Sequence, residues 1–431
     1  MNEKVLLRGG VLVSLEPLRL EQKDLLVVDG HIVRREERIP ATRDVRVIDC
    51  RRRFVLPGFV NTHARLHAPI RNLVATLSGP TDLLEYREIE SAFTRETLIT
   101  SLFAGALEAL RYGTTCVFDR SASPACPEGS LDLVRDAILT VGPRVVLGYD
   151  EGDDPSVAKT AREENRRFAL DNRSDRVRGV MGLSNLTTLD AEDIASFLDD
   201  ARRFGLSLTV DVSEEEERLV QERFGKSAID FLAEHGLLGG GTVIVHGARR
   251  SEAELTVVRK KGAWLAYCPT SSARHGFPSL PFEILGERVV LGSDSSASNM
   301  FGEARAAWLA ARARHAAARP EDIIEMIVSG HQLASERLGI ELGSTRRDAV
   351  ADLIIMDYYP RASLHDDNLA SHILFGMNES DIREVLVDGD VVYRNGHYPN
   401  VDIQRLAPLI REGSDELARV LAEGSAIASE A

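Results

Sequence analysis

Between residues 57 and 346, short apolar stretches alternate with amphipathic stretches along the sequence. The eight strand-like stretches lie at residues 54–63, 114–120, 144–152, 177–185, 207–214, 242–247, 263–269 and 288–294. Apolar strands joined by helical crossovers predict a parallel sheet that is buried on both faces. Eight such units favour an α/β fold of the (β/α)8 type, a TIM-like barrel. A doubly wound sheet is the alternative, but no glycine-rich dinucleotide motif follows the first strand.

The two ends of the chain carry shorter strand patterns. Asp29-Gly30 and Asp388-Gly389 each stand between apolar pieces, which predicts two β-hairpins. Gly9-Gly10 predicts a break between two further strands. Small β segments are marginally stable alone, so we expect one small β-sandwich domain built from both ends. The predicted units are residues 1–56 and 347–400 for the two parts of the sandwich, 57–346 for the barrel and 401–431 for a C-terminal helix.

Charge and cysteine content narrow the partners and the compartment. The formal net charge is −15, which disfavours nucleic-acid binding because that needs a basic surface. No apolar run approaches the roughly 18 residues of a membrane span, so no membrane partner is expected. The cysteines show no CxxC motif and no disulfide-dense spacing, which predicts a reducing, cytoplasmic location. They are Cys50, Cys116, Cys126 and Cys268.

Polar residues follow the predicted strands, at the end of a barrel that carries the chemistry. These residues are His63, Arg65, Asp119, Arg120, Asp150, Asp211, Glu214, His246, Tyr267 and Asp294. Three of them, His63, His246 and Asp294, are metal-ligand types at the same end of three strands. For Asp150, a helix cap or a loop ion pair is the more ordinary interpretation.

The stretch LPGFVNTHARLH, residues 56–67, reads as a strand that ends on His63. The side chains of His63 and Arg65 are two residues apart and therefore face the same side of that strand. A His-X-His motif at this point would supply the first two ligands of a metal site. In this chain the second histidine of that motif is replaced by the cationic Arg65. The stretch therefore looks like that of a barrel hydrolase whose metal chemistry is altered or lost.

Together with motifs further along the chain, this stretch resembles sequences of the amidohydrolase superfamily, in its cytosine-deaminase and chlorohydrolase branch. Within that branch the chain is most similar to the SsnA-type aminohydrolases. The other motifs are YGTTCVFDRSASP (112–124), VSEEEE (212–217), VIVHG (243–247), CPTSS (268–272), LGSDSSASNMF (291–301) and VADLIIMDYYP (350–360). The resemblance covers nearly the whole chain. It implies a metal-bearing (β/α)8 barrel with a small β-sandwich made from both ends.

The resemblance also implies a ligand set, which this chain keeps in part. His63, His246 and Asp294 match ligand positions, whereas Arg65 replaces the second histidine and Asp211 replaces the histidine of strand five. Arg120, Ser121, Ser184 and Tyr267 also stand where relatives often show histidine.

The family's chemistry implies roles for the residues that remain. A divalent metal lowers the pKa of water, an aspartate accepts a proton and a glutamate donates one to the leaving nitrogen. Asp294 and Glu214 match those two proton-transfer positions, and His246 is a further catalytic candidate. Resemblance alone suggests a purine-like or related heterocyclic substrate and deaminase-type cleavage of a non-peptide C–N bond. Relatives often form homodimers, and the sequence leaves this open.

Two hypotheses about the altered site stay open. In the first, His63, Asp211, His246 and Asp294 hold one zinc or iron ion, and Arg65 turns towards substrate. His67 is an alternative ligand, although a surface loop is its more ordinary place.

In the second hypothesis, the chain is a metal-free pseudoenzyme or a protein that binds a small molecule or a partner. Arg65 then replaces the metal and bridges Asp211 and Asp294, which would otherwise be buried without a counter-charge. Arg120 and Tyr267 are further metal-replacing or substrate-binding candidates.

A third hypothesis is metal-free acid–base catalysis by Glu214 and His246. The sequence offers no nucleophile for it, since Cys268 is more typical of a small core residue.

Overall fold

A computed structural model of the protein describes residues 4–74, 91–121, 127–150, 155–183, 186, 194–209, 214–247, 250–281, 287–315 and 317–430. The strands in these ranges are β1 Lys4–Leu15, β2 Leu18–Val28, β3 His31–Glu36, β4 Arg46–Asp49, β5 Phe54–Pro57, β6 Phe59–Ala64, β7 Thr114–Ser121, β8 Arg144–Tyr149, β9 Val177–Gly179, β10 Met181–Leu183, β11 Leu206–Thr209, β12 Thr242–Val245, β13 Trp264–Tyr267, β14 Val289–Leu291, β15 Leu353–Met356, β16 Ile382–Val387 and β17 Asp390–Arg394.

The helices follow the strands in alternation through the central segment. They are α1 Ala68–Val74, α2 Arg95–Arg111, α3 Ser130–Val141, α4 Pro155–Asp171, α5 Ile194–Phe204, α6 Glu214–Phe224, α7 Ala228–Glu234, α8 Glu252–Lys260, α9 Pro269–Arg274, α10 Met300–Ala313, α11 Pro320–Leu338, α12 Leu369–Ser371 and α13 Ile403–Glu430. No helix in these ranges combines the length and the apolar content that crossing a membrane would need.

Strands from both ends of the chain form one eight-stranded sheet. Its order is β17-β16-β15-β5-β1-β2-β3, and β4 pairs with β1. Asp29-Gly30 and Asp388-Gly389 turn the two predicted hairpins, and all four residues have positive φ, as a type I′ turn requires. The predicted break at Gly9-Gly10 is wrong, because β1 continues through it with a shift in register. Gly9, with a φ of 71°, accommodates that irregularity without ending the strand.

The central strands pair in parallel, in chain order. Strands β6 to β9 form one group and β10 to β14 the next. Only Val180 separates β9 from β10, so both belong to one irregular strand that pairs with β8 on one side and β11 on the other. A bridge between Ala64 and Asp294 joins β6 to the chain beyond β14 and closes the circle.

Burial on both faces of these strands follows from their apolar sequence. In β8, Val145 and Leu147 pack in the same apolar cluster as the surrounding helices, whereas Val146 belongs to a second cluster with Val243 and Val290. Such two-sided burial is what a parallel sheet covered by helices requires.

The predicted first strand, residues 54–63, is in fact two strands. Phe54–Pro57 pairs with β1 and β15 in the small sheet, and Phe59–Ala64 pairs with β7 in the barrel. Gly58 lies between them, and a Cβ there would come within 2.3 Å of the Thr115 side chain. An apolar pattern alone does not reveal this change of sheet, since both strands are fully buried.

A buried ion cluster connects the barrel to the small sheet. The fully buried Arg144 of β8 donates to both oxygens of Asp352, at 2.8 and 3.0 Å, and contacts Asp388 in the β16–β17 turn. Arg176 also donates to Asp388, at 2.7 Å. Burial alone would raise the pKa of Asp388, but the Arg144 and Arg176 charges hold it below its usual range.

We expect Arg144→Met to destabilise the protein by about 3–5 kcal/mol, because it leaves a buried carboxylate without its counter-charge. Urea unfolding measures the change. Since the folded pKa of Asp388 is depressed, its contribution is present above its unfolded pKa of about 3.9 and is lost as the pH falls further. The difference in the free energy of unfolding between wild type and variant should therefore become smaller in acid.

The matched control is Arg34→Met, which removes an exposed arginine paired with Glu36 and should change stability little. Equal stability losses in the two variants at neutral pH would contradict a structural role for the Arg144 cluster.

Candidate functional site

His63, His246 and Asp294 meet at the C-terminal ends of their strands, and one ligand atom from each lies within 4.8 Å of the others. His63 Nε2 is 3.3 Å from Asp294 Oδ1, and His246 Nε2 is 4.0 Å from Asp294 Oδ2. All three side chains are buried. We call these three residues the ligand group.

Backbone hydrogen bonds fix two members of the ligand group relative to each other. The Ser293 and Asp294 amides both donate to the His63 carbonyl at 2.9 Å, and the Arg65 amide donates to the Asp294 carbonyl at 2.9 Å. Asp294 has a φ of 49° and His246 a φ of 70°. Left-handed backbone at non-glycine residues is strained and tends to occur at functional sites.

The Asp294 carboxylate has several polar neighbours. Ser271 donates a hydrogen bond to its Oδ2 at 2.5 Å, and Ser295 Oγ lies 3.4 Å from the same oxygen. Burial alone would raise the pKa of Asp294, but His63, His246 and Arg65 together hold it well below its usual range. Asp294 is therefore an anion at neutral pH.

The His63 imidazole is neutral for the opposite reason. Complete burial lowers its pKa, the Asp294 carboxylate opposes this, and the charges of Arg120 and Arg65 add to it. His63 Nε2 is also buried without a hydrogen bond of acceptable geometry. A neutral imidazole nitrogen beside a carboxylate is a suitable metal ligand, so these residues fit a zinc or iron ion.

Arg65 lies between two carboxylates. Its Nη2 contacts Asp150, and its Nε lies 3.3 Å from Asp294 Oδ1. Arg120 donates to the other oxygen of Asp150 at 2.7 Å. All of these side chains are about nine-tenths buried or more, so one carboxylate serves two buried guanidinium groups. Burial raises the pKa of Asp150, and the two arginines reverse that shift and lower it.

One sequence-predicted residue is placed differently from expectation, and another lies outside the described residues. His67 is fully buried with its ring edge-to-face against Phe93, so the prediction of a surface loop is wrong. The described partners of Arg65 are Asp150 and Asp294, whereas Asp211 lies outside the described residues.

Other predicted residues are placed only in part or lie beside the site. Ser184 lies outside the described residues as well, and of Glu214 and Ser121 only the backbone is described. Tyr267 is buried, and burial raises its pKa. Cys268 is a buried free cysteine with a raised pKa, which confirms its interpretation as a core residue.

Asp150 is the residue that sequence reasoning undervalued. Its position after the third barrel strand was visible, and so were Arg65 and Arg120 at neighbouring strand ends. Two cations in a buried cleft require a carboxylate, so the charges at this end of the barrel made Asp150 a candidate beside the other strand-end carboxylates.

Glu303 and Thr270 form a second buried polar contact behind the site. The Thr270 amide donates to Glu303 at 3.1 Å, and its hydroxyl contacts the same carboxylate. Burial raises the pKa of Glu303 to about 8. The contact anchors the first turn of α9, the helix that also carries Ser271, the donor to Asp294. The motif CPTSS marked this segment in the sequence, but no local signal connected it to a glutamate 33 residues later.

Comparison with known proteins places these features in a family. The model of the amidohydrolase family matches residues 54–392. The 5-methylthioadenosine/S-adenosylhomocysteine deaminase of Thermococcus onnurineus is 28% identical, over 90% of this chain and 93% of the relative. The protein of the same name from Natronomonas pharaonis is 30% identical, over 83% of this chain and 85% of the relative.

A solved structure supports the fold. The zinc-bound adenosine deaminase from Xanthomonas campestris superposes with a TM-score of 0.82 at 18% identity, covering 96% of this chain and 98% of that protein. The predicted (β/α)8 barrel with a small β domain is thereby confirmed. The exact domain limits remain predictions.

We expect Asp150→Asn to destabilise the protein by about 3–5 kcal/mol, because Arg65 and Arg120 would keep buried charges without their shared carboxylate. Chemical unfolding of the purified variant measures the change. Glu416→Gln, which neutralises an exposed partner of Arg419, is the matched control. An Asp150→Asn protein as stable as the control would show that the two arginines do not depend on Asp150.

Proposed function

Because this chain belongs to the amidohydrolase family, we propose that it is a deaminase-type hydrolase that cleaves a non-peptide C–N bond in a purine-like substrate. The names of its relatives support this choice, since both relatives described above are deaminases of adenosine derivatives. The structural neighbour is an adenosine deaminase with bound zinc, which supports the same fold.

The ligand group is the observation that carries the proposal. Two imidazoles and one carboxylate converge at the catalytic end of the barrel, with one ligand atom from each within 4.8 Å of the others. His63, His246 and Asp294 would hold one divalent zinc or iron ion. When bound, such an ion supplies Lewis acidity and activates water near neutral pH.

The protein residues then divide the remaining work. Asp294 is an anion at neutral pH and accepts the proton that water gives up on attacking the substrate carbon. Ser271 donates to Asp294 Oδ2 and so fixes the orientation of that carboxylate. Glu214, at the start of α6, supplies the proton for the leaving nitrogen, as its position in the family motif implies. Asp211 is a further ligand candidate on the same grounds.

Arg65 and Arg120 make this site different from a histidine-rich one. Their guanidinium groups remain charged, and Asp150 holds both of them at one side of the ligand group. Guanidinium groups bind planar acceptors with paired hydrogen bonds. We therefore assign Arg65 and Arg120 to the substrate side of the site, where they favour a substrate with ring nitrogens, carbonyl oxygens or a carboxylate.

A second candidate function rests on the contact between Arg65 Nε and Asp294 Oδ1, at 3.3 Å. That contact gives Asp294 a positive partner of its own. In this alternative the arginine replaces the metal, and the chain is a pseudoenzyme that binds a small molecule or a partner. The alternative explains why a cation occupies the histidine position, but it leaves the convergence of His63 and His246 without a role.

Metal content separates the two functions. We expect protein purified without chelators or a polyhistidine tag to contain about one zinc or iron ion per chain. Asp294→Asn should lower that content, because it removes the anionic ligand, whereas the surface variant Asp136→Asn should not. Elemental analysis provides the measurement.

The variant Arg65→His/Asp211→His is the complementary arm of the metal experiment. It restores histidine at both substituted positions and should raise metal affinity in either case. If the native protein contains no metal and only the double variant gains it, the second candidate function is correct and the hydrolase proposal fails.

Turnover tests the reaction class directly. We expect ammonia release from 5-methylthioadenosine, S-adenosylhomocysteine or a related aminopurine compound. Asp294→Asn and Glu214→Gln should each lower kcat/KM by a factor of roughly 100 to 10,000, the usual contribution of a positioned acid or base. Glu217→Gln, three residues beyond Glu214, is the matched control and should retain activity. Metal-loaded protein that releases no ammonia from any such compound would contradict the deaminase assignment.

A further inference from the structure

A second concentration of charge lies at the opposite end of the barrel, where the strands begin. A cavity of about 270 Å³ opens there beside the first residues of β9 and the last residues of α5 and α11. Five arginines and one acidic residue, Glu336, contribute to its wall. The arginines are Arg173, Arg178, Arg202, Arg203 and Arg337. Positive charge collects here although the chain as a whole carries −15.

Helix ends explain part of this cluster. Arg202 and Arg203 stand in the last turn of α5, and Arg337 stands in the last turn of α11. Cations at these positions stabilise the helix by interacting with its dipole. Arg173 similarly donates to a carbonyl near the end of α4, that of Ala169, at 3.3 Å. Arg178 is different, because it lies on strand β9.

Some of the five charges already have partners. Arg202 pairs with Asp199 at 3.1 Å and donates to the His235 carbonyl at 2.7 Å. The guanidinium groups of Arg173 and Arg203 both lie over the Phe204 ring, 5.4 and 5.0 Å from its centre. An aromatic ring weakly stabilises a cation but does not neutralise its charge.

Arg178 and Arg337 are the two members of the cluster whose charges interact unfavourably with each other. Within the residues that the structure describes, Arg178 Nε is buried without a hydrogen-bond partner. Arg337 donates to the Gly240 carbonyl at 3.3 Å. Burial lowers the pKa of Arg337 to about 10; the Glu336 charge opposes this shift, and the Arg178 charge adds to it. Two partly buried cations thus repel each other across the cavity.

We propose that this cavity binds a compact oligophosphate anion, such as pyrophosphate or the diphosphate group of a nucleotide. Guanidinium groups form paired, charge-assisted hydrogen bonds with phosphate oxygens. Such an anion neutralises the repelling cations. The site is separate from the ligand group, so it stands or falls independently of the deaminase assignment.

The size of the cavity limits the ligand. Its volume corresponds to roughly nine water molecules at about 30 Å³ each. That space suits a short chain of phosphates, whether free or part of a nucleotide.

Calorimetric titration of the full-length protein with pyrophosphate at low salt tests the site. Wild type should bind, and Arg178→Gln and Arg337→Gln should each weaken binding about tenfold or more, the effect of losing one charge-assisted hydrogen bond. Arg223→Gln is the matched control, because Arg223 lies over Phe224 in the way that Arg203 lies over Phe204 but is not part of the cavity wall. It should bind pyrophosphate like wild type.

Thermal unfolding provides a second measurement of pyrophosphate binding that does not depend on the heat of binding. Pyrophosphate should raise the wild-type melting temperature above the value in sodium chloride of equal ionic strength, because a ligand stabilises the state that binds it. Both cavity variants should lose this increase while remaining folded by circular dichroism. An increase that sodium chloride reproduces, or that both variants retain, would overturn the proposal.

A parallel titration with ADP identifies the source of the phosphate. If ADP binds at least as tightly as pyrophosphate, the ligand class is a nucleotide that enters by its diphosphate. If only pyrophosphate binds, the ligand is the free anion. Binding of neither would overturn the proposal.

Discussion

The closure of the barrel between β6 and β14 is the interaction on which the site depends. The His63 carbonyl accepts hydrogen bonds from the Ser293 and Asp294 amides, and the Asp294 carbonyl accepts one from the Arg65 amide. These bonds join the first and last strands and, in the same step, bring the His63 and Asp294 side chains together. Gly292 permits this approach, since a Cβ there would come within 2.9 Å of His63. The contacts that close the barrel therefore also assemble the site.

The sequence could predict most of the architecture because strand and helix patterns are local. The βα alternation, both Asp-Gly hairpins and the small domain built from two ends all follow from periodicity and turn chemistry. The split at Gly58 could not be predicted in this way, because Phe54–Pro57 and Phe59–Ala64 are equally apolar. Only the partner strands distinguish them, and partners are a property of the fold.

For the site, residue types at strand ends selected His63, His246 and Asp294, and the second hypothesis paired Arg65 with Asp211 and Asp294. The structure brings Asp294 and also Asp150 to that guanidinium, whereas Asp211 lies outside the described residues. Likewise, His67 was assigned to the surface by its residue type, although the fold buries it against Phe93. Pairing between charges depends on distances across the barrel, and linear spacing does not contain them.

Asp150 also bears on whether an arginine and a metal are compatible in one cleft. If Asp294 were the sole counter-charge of Arg65, a metal that recruited Asp294 would leave a buried cation unpaired, which is costly. Asp150 removes that conflict, because it contacts both Arg65 and Arg120 and so gives Arg65 a counter-charge besides Asp294. Arg65 keeps a partner when Asp294 turns towards His63 and His246. On the proposed function, an arginine at the position of the histidine would therefore reduce the number of ligands without excluding the metal.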